Sequence, residues 1–323
     1  MKRKIILFVF VVTIMPIILP IHADEVDTAI EPEETGPYHI GYYKVRYKDP
    51  TYGVYKATIR YPAIYDGFFA PKDISKAPYP GIVVSNGFAG SEWNIKWIPK
   101  HLTSYGHITI CFTPPNKLLG DTTQWAYGFI RGIEKLKSQN SLLLSPIYGI
   151  LDTETFGSIG LSMGGAGCIE ATGTINSEID TSVALAPASS KSSKDAAKNI
   201  TVPIQIQVGN NDAMVPPEHV LPYYSDIIPY NLNKEYIAIN GGNHIGFIDE
   251  FFANFAERVG LDDPKGIEFN EQRRISKRYF TAWFQYHLRS QPEYFKYIFG
   301  EEAQKDIDAG ILSDFVYNIV YIK

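Results

Sequence analysis

Residues 157–168 read GSIGLSMGGAGC, a serine between two glycines with further small residues behind it. Ser162 follows FGSIG, which reads as a strand, and precedes GGAGCIEATG, which reads as a small-residue helix. Where a strand turns directly into a helix, the turn residue stands at the edge of the sheet. Gly160 and Gly164 leave room for the chain to double back, so the spacing predicts a strained turn with its hydroxyl projecting outward. A hydroxyl is a weak nucleophile on its own. It needs a base, and the base needs an acid to orient it. Asp212 closes the strand-like stretch VPIQIQVGNND, and His244 closes KEYIAINGGNH. Serine, acid and histidine, each at the end of a strand and in that order, point to acyl transfer through a covalent intermediate.

That chemistry also requires donors for a developing oxyanion. The N–H of Met163 falls at a helix N-terminus, where unpaired donors and the helix dipole favour negative charge. In GIVVSNGFAGSEW the strand ends at Ser85 and turns at Asn86–Gly87, so the N–H of Phe88 is the natural second donor. The other histidines fit the role of base less well. His22 lies in the leader, and His39, His101 and His107 precede the serine. His219 sits in a helix close behind Asp212, and His287 is in an amphipathic C-terminal helix. They read as surface or core imidazoles, and Asp226 and Asp249 as solvated charges.

Positioning these groups requires a scaffold. GPYHIGYYKVRYKD and YGVYKATIRYPA read as two strands joined by a turn at 49–53. PGIVVSNG, HITICF, ETFGSIGLS, TSVALAP, VPIQIQVG and KEYIAIN read as buried strands. Helical patterns separate them. Trp93, Trp97, Ile98 and Leu102 share a face that Pro99 should kink or restart. Asp121 with Gln124 resembles a capping box ahead of Trp125, Phe129, Ile133 and Leu136. RRISKRYFTAWFQYHL turns Ile275, Tyr279, Trp283 and Tyr286 or His287 inward. Alternation of this kind predicts an α/β fold, with a mostly parallel twisted central sheet and helices on both faces. The stretch 247–271 is too long for an ordinary connection and reads as an insertion with helix of its own.

The chain has 323 residues, 45% of them hydrophobic, enough for one large domain with a sizeable core. Its charges are dispersed and its formal net charge is −5, which argues against a nucleic-acid partner. Lys2, Arg3 and Lys4 precede an apolar run to Ile21, with Ala23 before an acidic stretch, which reads as a secretory signal peptide. An uncleaved membrane anchor is the rival reading. Residues 1–23 are thus assigned as signal peptide, 24–37 as leader of the mature chain, and 38–323 as one catalytic domain. The expected location is secreted, as a monomer with no stable membrane partner beyond that segment. Cys111 and Cys168 read as buried small hydrophobes on separate elements rather than as a disulfide. No metal-ligand spacing occurs, and no cofactor is required.

NGFAG, GLSMGG, ITVPIQIQVGNNDAMVPP and INGGNH together resemble the cutinase-like polyester hydrolases of the α/β-hydrolase superfamily, which include poly(ethylene terephthalate) hydrolases, from about Gly36 to Leu288. The resemblance implies Ser162, Asp212 and His244 as the triad, with Phe88 and Met163 as oxyanion donors. It implies substrate contacts at the ring of Phe88 and at Met214, with a hydrophobic ester or polyester as substrate. The sequence departs from the family at Leu161, where His or Trp is usual, and at Ala188, where a tryptophan usually completes an aromatic clamp. The family's C-terminal cysteine pair is missing, and the tail beyond Tyr294 has no counterpart. Phe88, Leu161, Met214 and Ile245 are expected to form an apolar rim. Other readings stay open: a lipase, acetylhydrolase or peptidase of the same fold, an acyltransferase, or an exported binding protein that no longer turns over.

Overall fold

A computed structural model describes residues 30–320. The signal-peptide assignment and its cleavage site lie outside the described residues. Ten strands form one sheet: β1 (His39–Asp49), β2 (Gly53–Ala63), β3 (Gly67–Phe68), β4 (Tyr79–Ser85), β5 (Ile108–Thr113), β6 (Leu151–Leu161), β7 (Thr181–Leu185), β8 (Ile204–Gly209), β9 (Lys234–Ile239) and β10 (Leu312–Asn318). Their order is β10-β9-β8-β7-β6-β4-β5-β2-β1-β3. The six strands from β5 to β9 run parallel, and β2 and β10 join antiparallel at either end of that run.

Nine helices connect them: α1 (Trp97–Ser104), α2 (Thr123–Ser141), α3 (Met163–Thr172), α4 (Lys191–Ala197), α5 (Pro217–Pro222), α6 (Glu250–Arg258), α7 (Phe269–Arg289), α8 (Phe295–Ile298) and α9 (Glu301–Asp308), counted among the described residues. One face of the sheet packs on α1, α7 and the tail helices, around Ile82, Val84, Leu102, Tyr279 and Trp283. The other packs on α2 and α3 near β2, β4 and β5, and on α4 and α5 near β7–β9. This is the α/β-hydrolase fold. No helix among the described residues is long and apolar enough to cross a membrane.

Several elements differ in detail from what periodicity predicts. Pro99 sits in the first turn of α1, where its missing N–H costs nothing, so it opens that helix rather than kinking it. Asp121 and Gln124 do not form a capping box. Asp121 Oδ1 takes the N–H of Thr123 at 2.9 Å, while the Gln124 amide turns back to the carbonyls of Asn116 and Leu119. α7 is buried nearly all round because α8 and α9 cover the side away from the sheet. The tail then adds β10 as an edge strand on β9. Cys111 and Cys168 are both free and buried.

The strand order reverses at β4, which lies between β5 and β6. A crevice opens at the carboxyl ends of strands where the order reverses. Ser85 at the end of β4 is in register with Gly160 on β6, so the two turns that leave these strands are neighbours.

Candidate active site

The serine turn is built from backbone geometry. Ser162 has φ 59° and ψ −120°, a region that L-residues rarely adopt. Three hydrogen bonds hold it there. Its N–H donates to the Leu185 carbonyl (2.9 Å), and its carbonyl accepts from Ala166 and Ala188 (3.0 Å each). The flanking glycines are sterically required. A Cβ at Gly160 would lie 2.1 Å from the Gly164 oxygen, and one at Gly164 would lie 2.6 Å from the Asn86 oxygen.

The loop after β4 lies against this turn. A Cβ at Gly87 would meet Ser162 Oγ at 3.0 Å. Asn86 fixes the loop: its Oδ1 accepts from Gly87 N (2.8 Å), its Nδ2 donates to the Ser91 carbonyl, and its own carbonyl accepts from Trp125 Nε1 (2.6 Å). Ala89 adopts a positive φ of 58° to complete the bend. The N–H groups of Phe88 and Met163 find no protein acceptor among the described residues. Both stay available beside Ser162.

The acid and the imidazole come from the loops after β8 and β9. His244 Nδ1 lies 2.8 Å from Asp212 Oδ2, and both residues are buried. The other carboxylate oxygen of Asp212 accepts from Val215 N at 2.6 Å. With both oxygens engaged, the carboxylate has one orientation. An Nδ1 proton donated to this carboxylate would leave the ring's lone pair on Nε2. Two cavities, of 540 and 710 Å3, lie on the outer face of β1 and β2 and share Lys44, Glu92 and Trp93. Neither contains Ser162, Asp212 or His244. The chemistry of the side chains, not the size of a hollow, locates the candidate site.

A family model described as PETase, PET hydrolase-like, matches residues 33–308. The chain belongs to the PET hydrolase-like family. Bis(hydroxyethyl) terephthalate hydrolase of Streptomyces coelicolor is 22% identical over 208 residues, covering 62% of this chain and 64% of that protein. Cutinase est1 of Thermobifida alba is 26% identical over 167 residues, covering 51% of this chain and 53% of that protein. The matches thus span less than two thirds of the length of either relative.

The surroundings of this PET hydrolase-like site correct two expectations. Leu161 and Ile245 do not form a rim. They are 1% and 4% exposed, and Leu161 packs in the core beneath α1 and α7, because the last residue of β6 turns its side chain inward. Ile245 is covered by Ala253 and Ala256 of α6 and by Phe269. The exposed apolar groups are Phe88 (54%) and Met214 (51%). Ala188 is half-buried beside Ser162 and presents only a methyl group.

Sequence reasoning missed one group of consequence. Asp262, in the segment 247–271, accepts from Ala213 N (3.0 Å) on one oxygen and from Ile245 N (3.1 Å) on the other. Those are the residues that directly follow Asp212 and His244, so one carboxylate ties the acid loop to the histidine loop. Gln272 of α7 adds a second brace. Its side-chain amide accepts from Asn243 N (3.0 Å) and donates to the Asn243 carbonyl (2.7 Å). Nothing in the local sequence LDDPKG marks Asp262 for this task; its partners are 17 and 49 residues away.

Proposed function

We propose that this chain is an exported serine hydrolase that cleaves carboxylic esters of hydrophobic acids or alcohols. The observation that carries the reading is the buried Asp212–His244 pair at 2.8 Å on the loops after β8 and β9, in the same sheet whose β6 runs into a serine held at φ 59°. In this mechanism His244 Nε2 takes the Ser162 proton as Oγ attacks the ester carbonyl. The N–H groups of Phe88 and Met163 receive the oxyanion, each contributing on the order of 3 kcal/mol to lowering the barrier. Asp212 holds the tautomer and stabilises the imidazolium. His244 then protonates the departing alcohol and activates the water that releases the acid.

The exposed ring of Phe88 and thioether of Met214 support an apolar substrate. Export is supported by the basic and apolar leader and suits a substrate outside the cell. The printed names of the two relatives support esters of the terephthalate or cutin kind. Ala188 provides no aromatic face opposite Phe88, which favours aliphatic over aromatic acyl groups.

Hydrolysis of p-nitrophenyl esters from C2 to C12 tests the reading, with Ser162→Ala assayed in parallel. Turnover is expected in the wild type, and kcat is expected to fall by about six orders of magnitude in the variant at unchanged thermal stability. Full activity in purified Ser162→Ala would overturn the assignment. A folded wild type inert toward every ester would do so as well.

A further inference from the structure

The two cavities on the outer face of β1 and β2 have no part in the mechanism above. They adjoin through Lys44, Glu92 and Trp93, so together they make one long groove. Six cations line it, Lys44, Arg46, Lys56, Arg60, Lys96 and Lys100, against two acids, Glu92 and Asp66. The chain as a whole carries a formal charge of −5, so the groove runs against the balance of the molecule. Lys96 pairs with Asp249, and the other five cations form no ion pair among the described residues.

Strand register sets the spacing of these charges. Tyr43, Tyr47, Tyr55, Ile59 and Tyr61 pack in the core, so the alternate residues of both strands face the groove. Tyr42 stands opposite Arg60, Lys44 opposite Thr58, and Arg46 opposite Lys56. Cations thus recur along the groove at steps of two residues, about 7 Å. Arg46 and Lys56 are like charges directly across a strand pair, an arrangement that destabilises a sheet. Folding does not call for it, and a bound anion would offset it. Arg60 and Glu92 both line the 540 Å3 cavity, and one atom of each, Nη1 and Oε2, lies out of water with no hydrogen-bond partner among the described residues. A donor and an acceptor left open around one cavity fit a ligand that carries oxyanions and hydroxyl groups together. Tyr42 and Trp93 add exposed ring faces, with Lys44 Nζ 5.7 Å from the centre of the Trp93 ring.

We propose that this groove binds a linear acidic polysaccharide, a chain of sugar acids. Arg60, Lys44 and the Arg46–Lys56 pair take carboxylates along the chain, and Glu92 accepts from ring hydroxyls. Tyr42 and Trp93 take the apolar C–H faces of the sugar rings. A DNA backbone offers Glu92 no hydroxyl, and a neutral glycan leaves the cations unpaired. The groove contains none of Ser162, Asp212 and His244, so its role is to anchor the protein on an anionic matrix. That role does not depend on the ester-hydrolase reading.

Isothermal titration calorimetry of the purified protein at low salt tests this, with hexagalacturonate, galacturonate monomer, maltohexaose and a thymidine hexanucleotide as titrants. Hexagalacturonate is expected to bind and neutral maltohexaose is not. Lys44 and Arg46 are exposed, so Lys44→Gln/Arg46→Gln removes their charges without disturbing the fold. This pair should weaken hexagalacturonate binding about tenfold or more, and Arg60→Gln should do the same. Lys198→Gln, at the end of α4 and away from the groove, should change it less than twofold. No binding of hexagalacturonate by the folded wild type overturns the proposal. So does an equal loss in Lys198→Gln, which would make the attraction diffuse charge alone. A thymidine hexanucleotide bound as tightly as the uronate would overturn it in favour of nucleic acid. Monomer bound as tightly as hexamer would reduce the groove to a pocket for one carboxylate and overturn the polysaccharide assignment.

Discussion

The two halves of the site are held by different means. The serine half is self-contained. Ser162, its flanking glycines and the loop at Asn86–Phe88 are fixed by backbone sterics and by bonds between adjacent strand ends. The half that carries Asp212 and His244 is held from outside, by Asp262 of the segment 247–271 and Gln272 of α7. The first half has no spare volume. The second depends on a few hydrogen bonds, each of which can be removed while the chain path stays the same. Rigidity at Ser162 is thus a local property, and the placement of His244 is a long-range one.

The sharpest way to break the comparison is to add one methyl group to the serine half. Gly160→Ala places Cβ 2.1 Å from the Gly164 oxygen, and backbone cannot yield cheaply. The expected result is a loss of about 3 kcal/mol or more in unfolding free energy, with esterase activity at background. Denaturant titration and a p-nitrophenyl ester assay would check this, and a stable, active variant would show that the turn is not rigid. On the other half, Asp262→Ala is expected to lower kcat by about 10- to 100-fold, with KM and the melting temperature little changed. Asp262→Asn keeps one acceptor oxygen and should fall between. If kcat holds in Asp262→Ala, the loops hold themselves and the contrast between the halves fails.

A weaker perturbation acts on the scaffold rather than on either half. Burial lowers His101 and His287 to about 3 and His107 well below its usual range. Each stays neutral in the folded chain while the unfolded chain binds a proton below about pH 6.5, so the stability each contributes is lost as pH falls from there. Buried Glu235 and half-buried Glu92 are raised by desolvation and act in the opposite sense, gaining stability as pH falls. Three histidines oppose two acids, and the expected balance is a net loss of stability between pH 7 and pH 5. Thermal unfolding at the two values should show a lower midpoint at pH 5. A higher midpoint would mean that the acids dominate.

The legibility of the sequence follows the same division. GLSMGG predicted the turn because each glycine there answers a clash within a few residues or on the adjacent strand. Buried strands read from apolar runs, and the acid and histidine read from their places at strand ends. Asp262 was not legible, since an aspartate in a polar loop looks solvated until folding brings two amides to it. Leu161 and Ile245 were misplaced for a related reason: composition marks a residue as apolar but does not say which way it faces. The tail shows the limit of periodicity. LSDFVYN has strand composition, yet its partner β9 lies some 75 residues earlier and on an edge that no local pattern identifies.

Ser162 holds its backbone where glycine is at ease and serine is not, at a cost of about 1–3 kcal/mol. Under random drift, a lineage that needed only the shape of this protein would find many replacements at position 162 that relieve the turn. The fold alone gives no reason for a hydroxyl here. An unstrained glycine at that position in a relative would mark a lineage in which selection for chemistry had lapsed.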